Sequence, residues 1–380
     1  MLDFIGSQHG HFRFDLRYRA LTGMSRRGLG TEIERGFPFL PAGSHIELDR
    51  VASEIVLQNV RSALRMDWRG LARELQQLGD RPLRDFLRET YVDLDDIYRR
   101  HRGGWAGLRR LAGFDDRTPT PDDTLLARAF ARMLHVDDPE RLGFIMDLLK
   151  RSTPPSGARL PVRQQRLFRM LHFLLWGASE PAARASAGFS RLWAVPSRHE
   201  ELMELMVVLR GRLRRVSRPL DEVGRVPLHV HARYSRDEAL AAFGIQNPGA
   251  VREGVKWIEP EQADVFFVTL RKTERHYSPT TMYQDRAITP LLFQWESQST
   301  TSEASPTGQR YVGHRERGSS VHLFIRETKE ADGDMGAPAY LYAGPASYVS
   351  HTGDRPLRIV WRLRYELPAE TFHSARVAAG

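Results

Sequence analysis

Residues 277–311 read YSPTTMYQDRAITPLLFQWESQSTTSEASPTGQRY, a stretch dense in side chains that recognise ligands. Tyr277, Tyr283, Trp295 and Tyr311 supply aromatic faces, and Glu296, Gln298, Gln309 and Arg310 stand among them. Stacking on a ring, combined with hydrogen bonds to a base edge or a phosphate, uses this mixture of groups. A Glu accepts from a base amino group, and an Arg donates to phosphate or guanine. The candidate nucleic-acid-binding set is therefore Tyr283, Trp295, Glu296, Gln298, Gln309, Arg310 and Tyr311. A structural alternative stays open, with Tyr283, Phe293 and Trp295 as core residues and the Ser/Thr run as a loop.

A second group suggests catalysis. Phe324-Ile-Arg-Glu327-Thr-Lys329 ends an apolar run with Glu-x-Lys, and Asp285 is an upstream carboxylate. Asp285, Glu327 and Lys329 together would bind a divalent metal and orient water, as in a metal-dependent nuclease. The competing reading is a strand end with solvated charges. His229 and His231 stand two apart, but no third ligand accompanies them, so no metal site is assigned. No nucleotide-binding loop exists, because Lys272-Thr273 is preceded by Thr-Leu-Arg without glycine. No cofactor is expected.

The composition bounds the partners. The 380 residues carry a net charge of +9, which favours an acidic partner such as nucleic acid. Part of that excess is compositional, since four of the 56 basic residues are Lys and the rest Arg. No apolar run reaches membrane-spanning length, no signal peptide is visible, and Cys is absent, which fits a cytoplasmic protein.

The elements fall into two textures, an α+β multidomain chain with an all-α middle and a β-rich end. Helical spacing with Gly and Pro breaks predicts helices over 11–23, 25–34, 44–64, 68–78, 82–90, 92–101, 105–112, 121–135, 138–150, 163–176, 180–193 and 197–215. After about residue 216, strand-like runs take over at 251–258, 264–270, 291–297, 321–327, 339–343, 346–350 and 357–364. Ser235 with Glu238 three residues on and Gly244 at the end marks one helix among them. Short strands with regular turns predict a bent or barrel-like sheet. The expected divisions are 1–43, 44–218 and 219–380.

The C-terminal segments resemble domain of unknown function 3427. Those that carry the resemblance are Arg233-Tyr-Ser-Arg-Asp-Glu-Ala, Arg252-Glu-Gly-Val-Lys-Trp257, Ser278-Pro-Thr-Thr-Met-Tyr283, Phe293-Gln-Trp-Glu-Ser-Gln298, Ser305-Pro-Thr-Gly-Gln-Arg-Tyr311 and Tyr348-Val-Ser-His351. That family commonly follows a superfamily-two helicase motor, often with a phospholipase-D-like nuclease. Leu2-Asp-Phe-Ile-Gly6 looks like the closing strand of the motor's second RecA-like domain, and Phe12-Arg-Phe-Asp15 and 36–43 look like its sequel. The resemblance implies that residues 1–43 are a motor remnant and that the chain is part of something longer. It implies a non-catalytic nucleic-acid-binding accessory region, in DNA restriction or phage defence. The implied partners are DNA rather than RNA, and a separately encoded helicase or nuclease. The motor and nuclease motifs do not occur in this sequence. The third reading is a protein-interaction module that docks a separate motor.

Overall fold

The computed structural model describes residues 68–90, 92–99, 103–213, 218–220, 224–271, 285–330 and 336–377. The helices expected over 11–23, 25–34 and 44–64, and the motor-like strand, lie outside these residues. The chain forms two compact units, Met1–Ile97 with Trp105–Arg117, and Tyr98–Gly104 with Thr118–Gly380.

The first unit holds α1 (Trp68–Leu78), α2 (Leu83–Thr90) and all but one end residue each of α3 (Leu94–Tyr98) and α4 (Gly104–Leu111). Leu71, Leu75, Leu83, Phe86, Trp105 and Leu108 are buried here. The rings of Phe86 and Trp105 meet at 5.2 Å.

The second unit begins with helices. They are α5 (Pro121–Arg132), α6 (Pro139–Leu149), α7 (Val162–Trp176), α8 (Ala185–Trp193) and α9 (Pro196–Gly211). Their starts follow local chemistry. Pro stands at the start of α5, α6 and α9, where its missing N–H costs no hydrogen bond. The Asp138 carboxylate accepts from the Arg141 N–H and caps α6.

The strands follow in one chain-order series: β1 (Arg218–Pro219), β2 (His229–Val230), β3 (Arg233–Tyr234), β4 (Val255–Ile258), β5 (Ala263–Thr269), β6 (Arg286–Thr289), β7 (Leu292–Glu296), β8 (Ser320–Arg326), β9 (Tyr340–Thr352) and β10 (Arg358–Leu363). Helix α10 (Arg236–Ala242) precedes β4, α11 (Pro306–Val312) precedes β8, and α12 (Ala369–Val377) follows β10. The main sheet has the order β4-β5-β8-β9-β10-β7-β6, with β3 paired to β9. All its pairs are antiparallel except β5 with β8, which run parallel from Ala263↔Ser320 to Thr269↔Arg326. The fold is thus α+β, and the sheet is open rather than a closed barrel among the described residues.

The sheet is nonetheless strongly bent. Three strands separate β5 from β7, yet Phe266 of β5 stacks on Trp295 of β7 at 4.3 Å. Strand β5, next to the edge strand β4, is buried on both faces, as its unbroken apolar run requires. One face packs against helices, where Leu167, Met170 and Phe173 of α7 share a core with Leu240 and Phe243 and with Val265, Phe267 and Tyr342 of the sheet. The other face gathers Phe266, Trp295, Tyr311, Ile359 and Trp361 into a second core. The boundary expected at 218–219 lies within this unit, whose first core takes residues from both sides of it.

Candidate functional site

Where the two ends of the bent sheet approach, they leave a pocket of about 390 Å³. Its lining comes from α10 (Arg236), the loop Arg252-Glu253-Gly254 and β4 (Val255), then Phe267 and Thr269 of β5. Trp295, Glu296 and Gln298 at the end of β7, Asp285 before β6, Arg326 and Lys329 after β8, and Tyr340 of β9 complete it. A ligand-sized cavity with aromatic walls and a few convergent polar groups is the usual form of a binding site.

The cations are held in defined positions. Arg236 follows the N-cap Ser235, and its guanidinium donates to the carbonyls of Val251 and Glu253, fixing the loop that carries Arg252. Burial lowers the Arg236 pKa from its ordinary value, but a guanidinium in this range stays charged. Arg326 donates to the Thr269 hydroxyl at 3.0 Å and lies over the Tyr340 ring at 4.3 Å. Arg252 and Lys329 are exposed at the rim.

The acceptors come from β7 and its neighbour. The Asp285 carboxylate accepts from the Glu296 N–H at 3.0 Å and is 4% exposed. Glu296 accepts from Arg358 across the ladder at 2.8 Å. Gln298 is exposed beside them.

Of the residues singled out from sequence, Trp295, Glu296 and Gln298 line this pocket, and so do Asp285 and Lys329 of the nuclease reading. The two hypotheses thus converge on one place. Glu327 does not join it. It pairs with Arg271 at 3.2 Å and lines a second pocket of about 310 Å³ beside α12. Among the described residues, no group of three His, Cys, Asp or Glu is placed to hold a metal ion.

Trp295 is 5% exposed, stacked on Phe266 and edge-on to Tyr311 at 5.6 Å. Its ring is therefore chiefly core, and so is Tyr311, 1% exposed. Burial, the largest effect on Tyr311, raises the pKa of its hydroxyl. Arg310 is turned inward as a double donor to Asp264, at 2.7 and 3.0 Å, and stands 4.5 Å over Trp257. Burial raises the Asp264 pKa against the pull of Arg310. Gln309 is exposed and donates to the Glu303 carbonyl at 3.0 Å. Tyr283 lies outside the described residues.

The Ser305-Pro-Thr-Gly-Gln-Arg-Tyr segment places Arg310 and Tyr311 through α11. Ser305 caps the helix by accepting from Gly308 N, and Pro306 opens it. Gly308 is required, because a Cβ there would lie 2.0 Å from the Ser302 carbonyl oxygen. His229 and His231 are separated structurally: His229 bonds Glu140 at 3.0 Å, while His231 sits in a turn with φ 69.

Sequence reading passed over Arg236, Arg326 and Tyr340. Arg236 follows a readable helix cap, and Arg326 directly precedes the Glu-x-Lys motif. Tyr340 carries no local signal, since only the sheet order brings it to the pocket.

Among the described residues no helix is long and apolar enough to cross a membrane. No match to the chain is found among curated proteins. Residues 228–375, which supply every residue of the pocket lining, match the family model described as Domain of unknown function (DUF3427).

Proposed function

We propose that the second unit is a non-catalytic nucleic-acid-binding module, the accessory region of a helicase-type protein in DNA restriction or phage defence. The supporting observation is the pocket, where Arg236, Arg252, Arg326 and Lys329 surround aromatic walls and face the acceptors Asp285 and Glu296. Cations of this kind bind phosphate, and Phe267, Tyr340 and the edge of Trp295 offer contact to a base. Glu296 and Asp285 are acceptors suited to base amino groups. The pocket lies within the volume range of small-molecule sites, about 300–1,000 Å³, so it takes one nucleotide out of a strand rather than a helix.

The test is fluorescence anisotropy on single-stranded, duplex, end-bearing and base-modified DNA, with RNA for comparison, at two salt concentrations. Binding to at least one DNA is expected, and Arg326→Gln should weaken it about tenfold, within the range of a good charged contact. Absence of binding to every probe at low salt would end the proposal. Trp295→Ala is a poor test, because it excavates the second core as well as the pocket wall.

A metal-dependent nuclease using Asp285, Glu327 and Lys329 draws less support, because Glu327 faces the second pocket.

A further inference from the structure

Beyond the pocket, the sheet register sorts the residues of β6, β7 and β10 onto two faces. Phe293, Trp295, Ile359, Trp361 and Leu363 turn into the second core. Arg358, Val360 and Arg362 alternate with them along β10 and therefore occupy the opposite, outward face. Opposite these three stand Glu296, Gln294 and Leu292 of β7, and beyond Gln294 stands Arg286 of β6. On the other flank, β9 places Thr352, Ser350 and Ser347 beside them. Arg286, Arg358 and Arg362 are exposed, as are Ser350 and Thr352.

Glu296 is the one carboxylate that the register puts on this face among the described residues, and Arg358 neutralises it at 2.7 Å. Among the described residues, no carboxylate is paired with Arg286 or Arg362 in an ion pair. The face also joins the pocket on two strands: Arg286 follows Asp285 in the chain, and Arg358 holds Glu296.

We propose that the outward face of β6, β7 and β10 is a track for the sugar–phosphate backbone of a nucleic acid that places one nucleotide in the pocket. This rests on the nucleic-acid reading above and adds the second surface that reading needs. Charge complementarity selects the occupant. The guanidiniums of Arg286 and Arg362, set among the hydroxyls of Ser347, Ser350 and Thr352, are donors to phosphate oxygens. Arg358 and Arg362 lie four residues apart on one strand, about 13 Å along it, which matches the rise of about four stacked nucleotides. Such contacts fix position without reading sequence.

The experiment uses the full chain and labelled single-stranded and duplex DNA of about 16 nucleotides, titrated from about 50 to 200 mM salt. Arg286→Gln and Arg362→Gln should each weaken binding about threefold, evenly across sequences, and flatten the plot of log affinity against log salt by about 0.7 to 0.9. The double substitution should add the two effects, whereas Arg362→Lys should keep the original slope. A double variant with an unchanged slope overturns the track; if Arg326→Gln still weakens binding, the pocket reading survives. Loss in the double variant with none in Arg326→Gln supports the track and removes the pocket reading. A wild-type chain that binds no DNA at low salt, or that binds phosphatidylglycerol vesicles in place of DNA, overturns the track.

Discussion

His322 illustrates how a single buried side chain sets a property of the whole unit. It is 1% exposed, with Nδ1 bonded to the Tyr342 hydroxyl at 2.7 Å and Nε2 to the Ser320 hydroxyl at 3.0 Å. Burial pushes its pKa down to about 3, so the folded state keeps it neutral. An unfolded chain protonates it below about pH 6.5. Stability from this residue is therefore full above that pH and falls as pH drops from 6.5 towards 3. The expected loss at pH 5 is about 2 kcal/mol. Glu140 and Glu238, held down at about 2 by their His and Arg partners against the cost of burial, act in the same direction below pH 4.5. Urea midpoints measured at pH 7.5 and 5 check this, and His322→Gln should flatten the difference. A variant with the wild-type pH dependence would show that another group carries it.

Helix α10 is the element through which the helical layer reaches the pocket. At its first turn, Glu238 accepts from Arg141 of α6 at 2.5 Å and bonds His135 at 2.6 Å, while Arg141 also donates to the Arg233 carbonyl at 2.7 Å. Arg141 is 2% exposed, and Asp138 and Glu238 are fully buried. At the far end, Arg166 of α7 donates to the Ala242 carbonyl at 3.1 Å and pairs with Glu261. Both ends of the helix that carries Arg236 are thus clamped from outside the matched domain. Arg141→Met should cost about 3–5 kcal/mol by leaving Asp138 and Glu238 buried without their partner. In combination with Glu238→Gln the loss should be less than the sum, because the two substitutions share one network. A double-mutant cycle in urea measures both terms, and strict additivity would contradict the network.

These elements also mark the limits of sequence reading. Helices α5 to α9 match their expected ranges within a few residues, because Pro starts, capping side chains and apolar spacing are local signals. Helix α10, with its capping box and Gly244 at φ 97, was legible for the same reason. Strand β6 was missed, since Arg-Ala-Ile-Thr is too short to alternate convincingly. The runs at 339–343 and 346–350 proved to be one strand, β9, continuing through Gly344 and Pro345. The pocket itself depends on strand order, which brings Asp285, Arg326 and Tyr340 together from separate elements. The sequence leaves Trp295 open between core and stacking surface and gives Tyr311 no core signal, because a ring's burial depends on which strands face it across the bend.

At the scale of the second unit, the helical layer and the sheet share one folding core. Residues 228–375 alone would expose Leu240, Phe243 and Phe267 where Leu167, Met170 and Phe173 of α7 cover them. They would also lose Arg141 and Arg166 as partners of buried Glu238 and Glu261. A fragment limited to 228–375 should therefore be aggregated or unfolded, whereas 118–377 should melt in one cooperative transition. Calorimetry and analytical ultracentrifugation distinguish the two, and a monomeric, cooperatively folded 228–375 fragment would refute the shared core.

Among the described residues, the sheet that stops short of closing has β4 and β6 at its two edges, and an unpaired edge is a template for pairing with another chain. Both are four residues long, and each carries a cation, Lys256 on one and Arg286 on the other. Short, charged edges discourage self-association. The edges that flank the gap beside the pocket are therefore short and charged, and the Arg286 offered above as a phosphate contact is also one of the charges that discourage edge pairing.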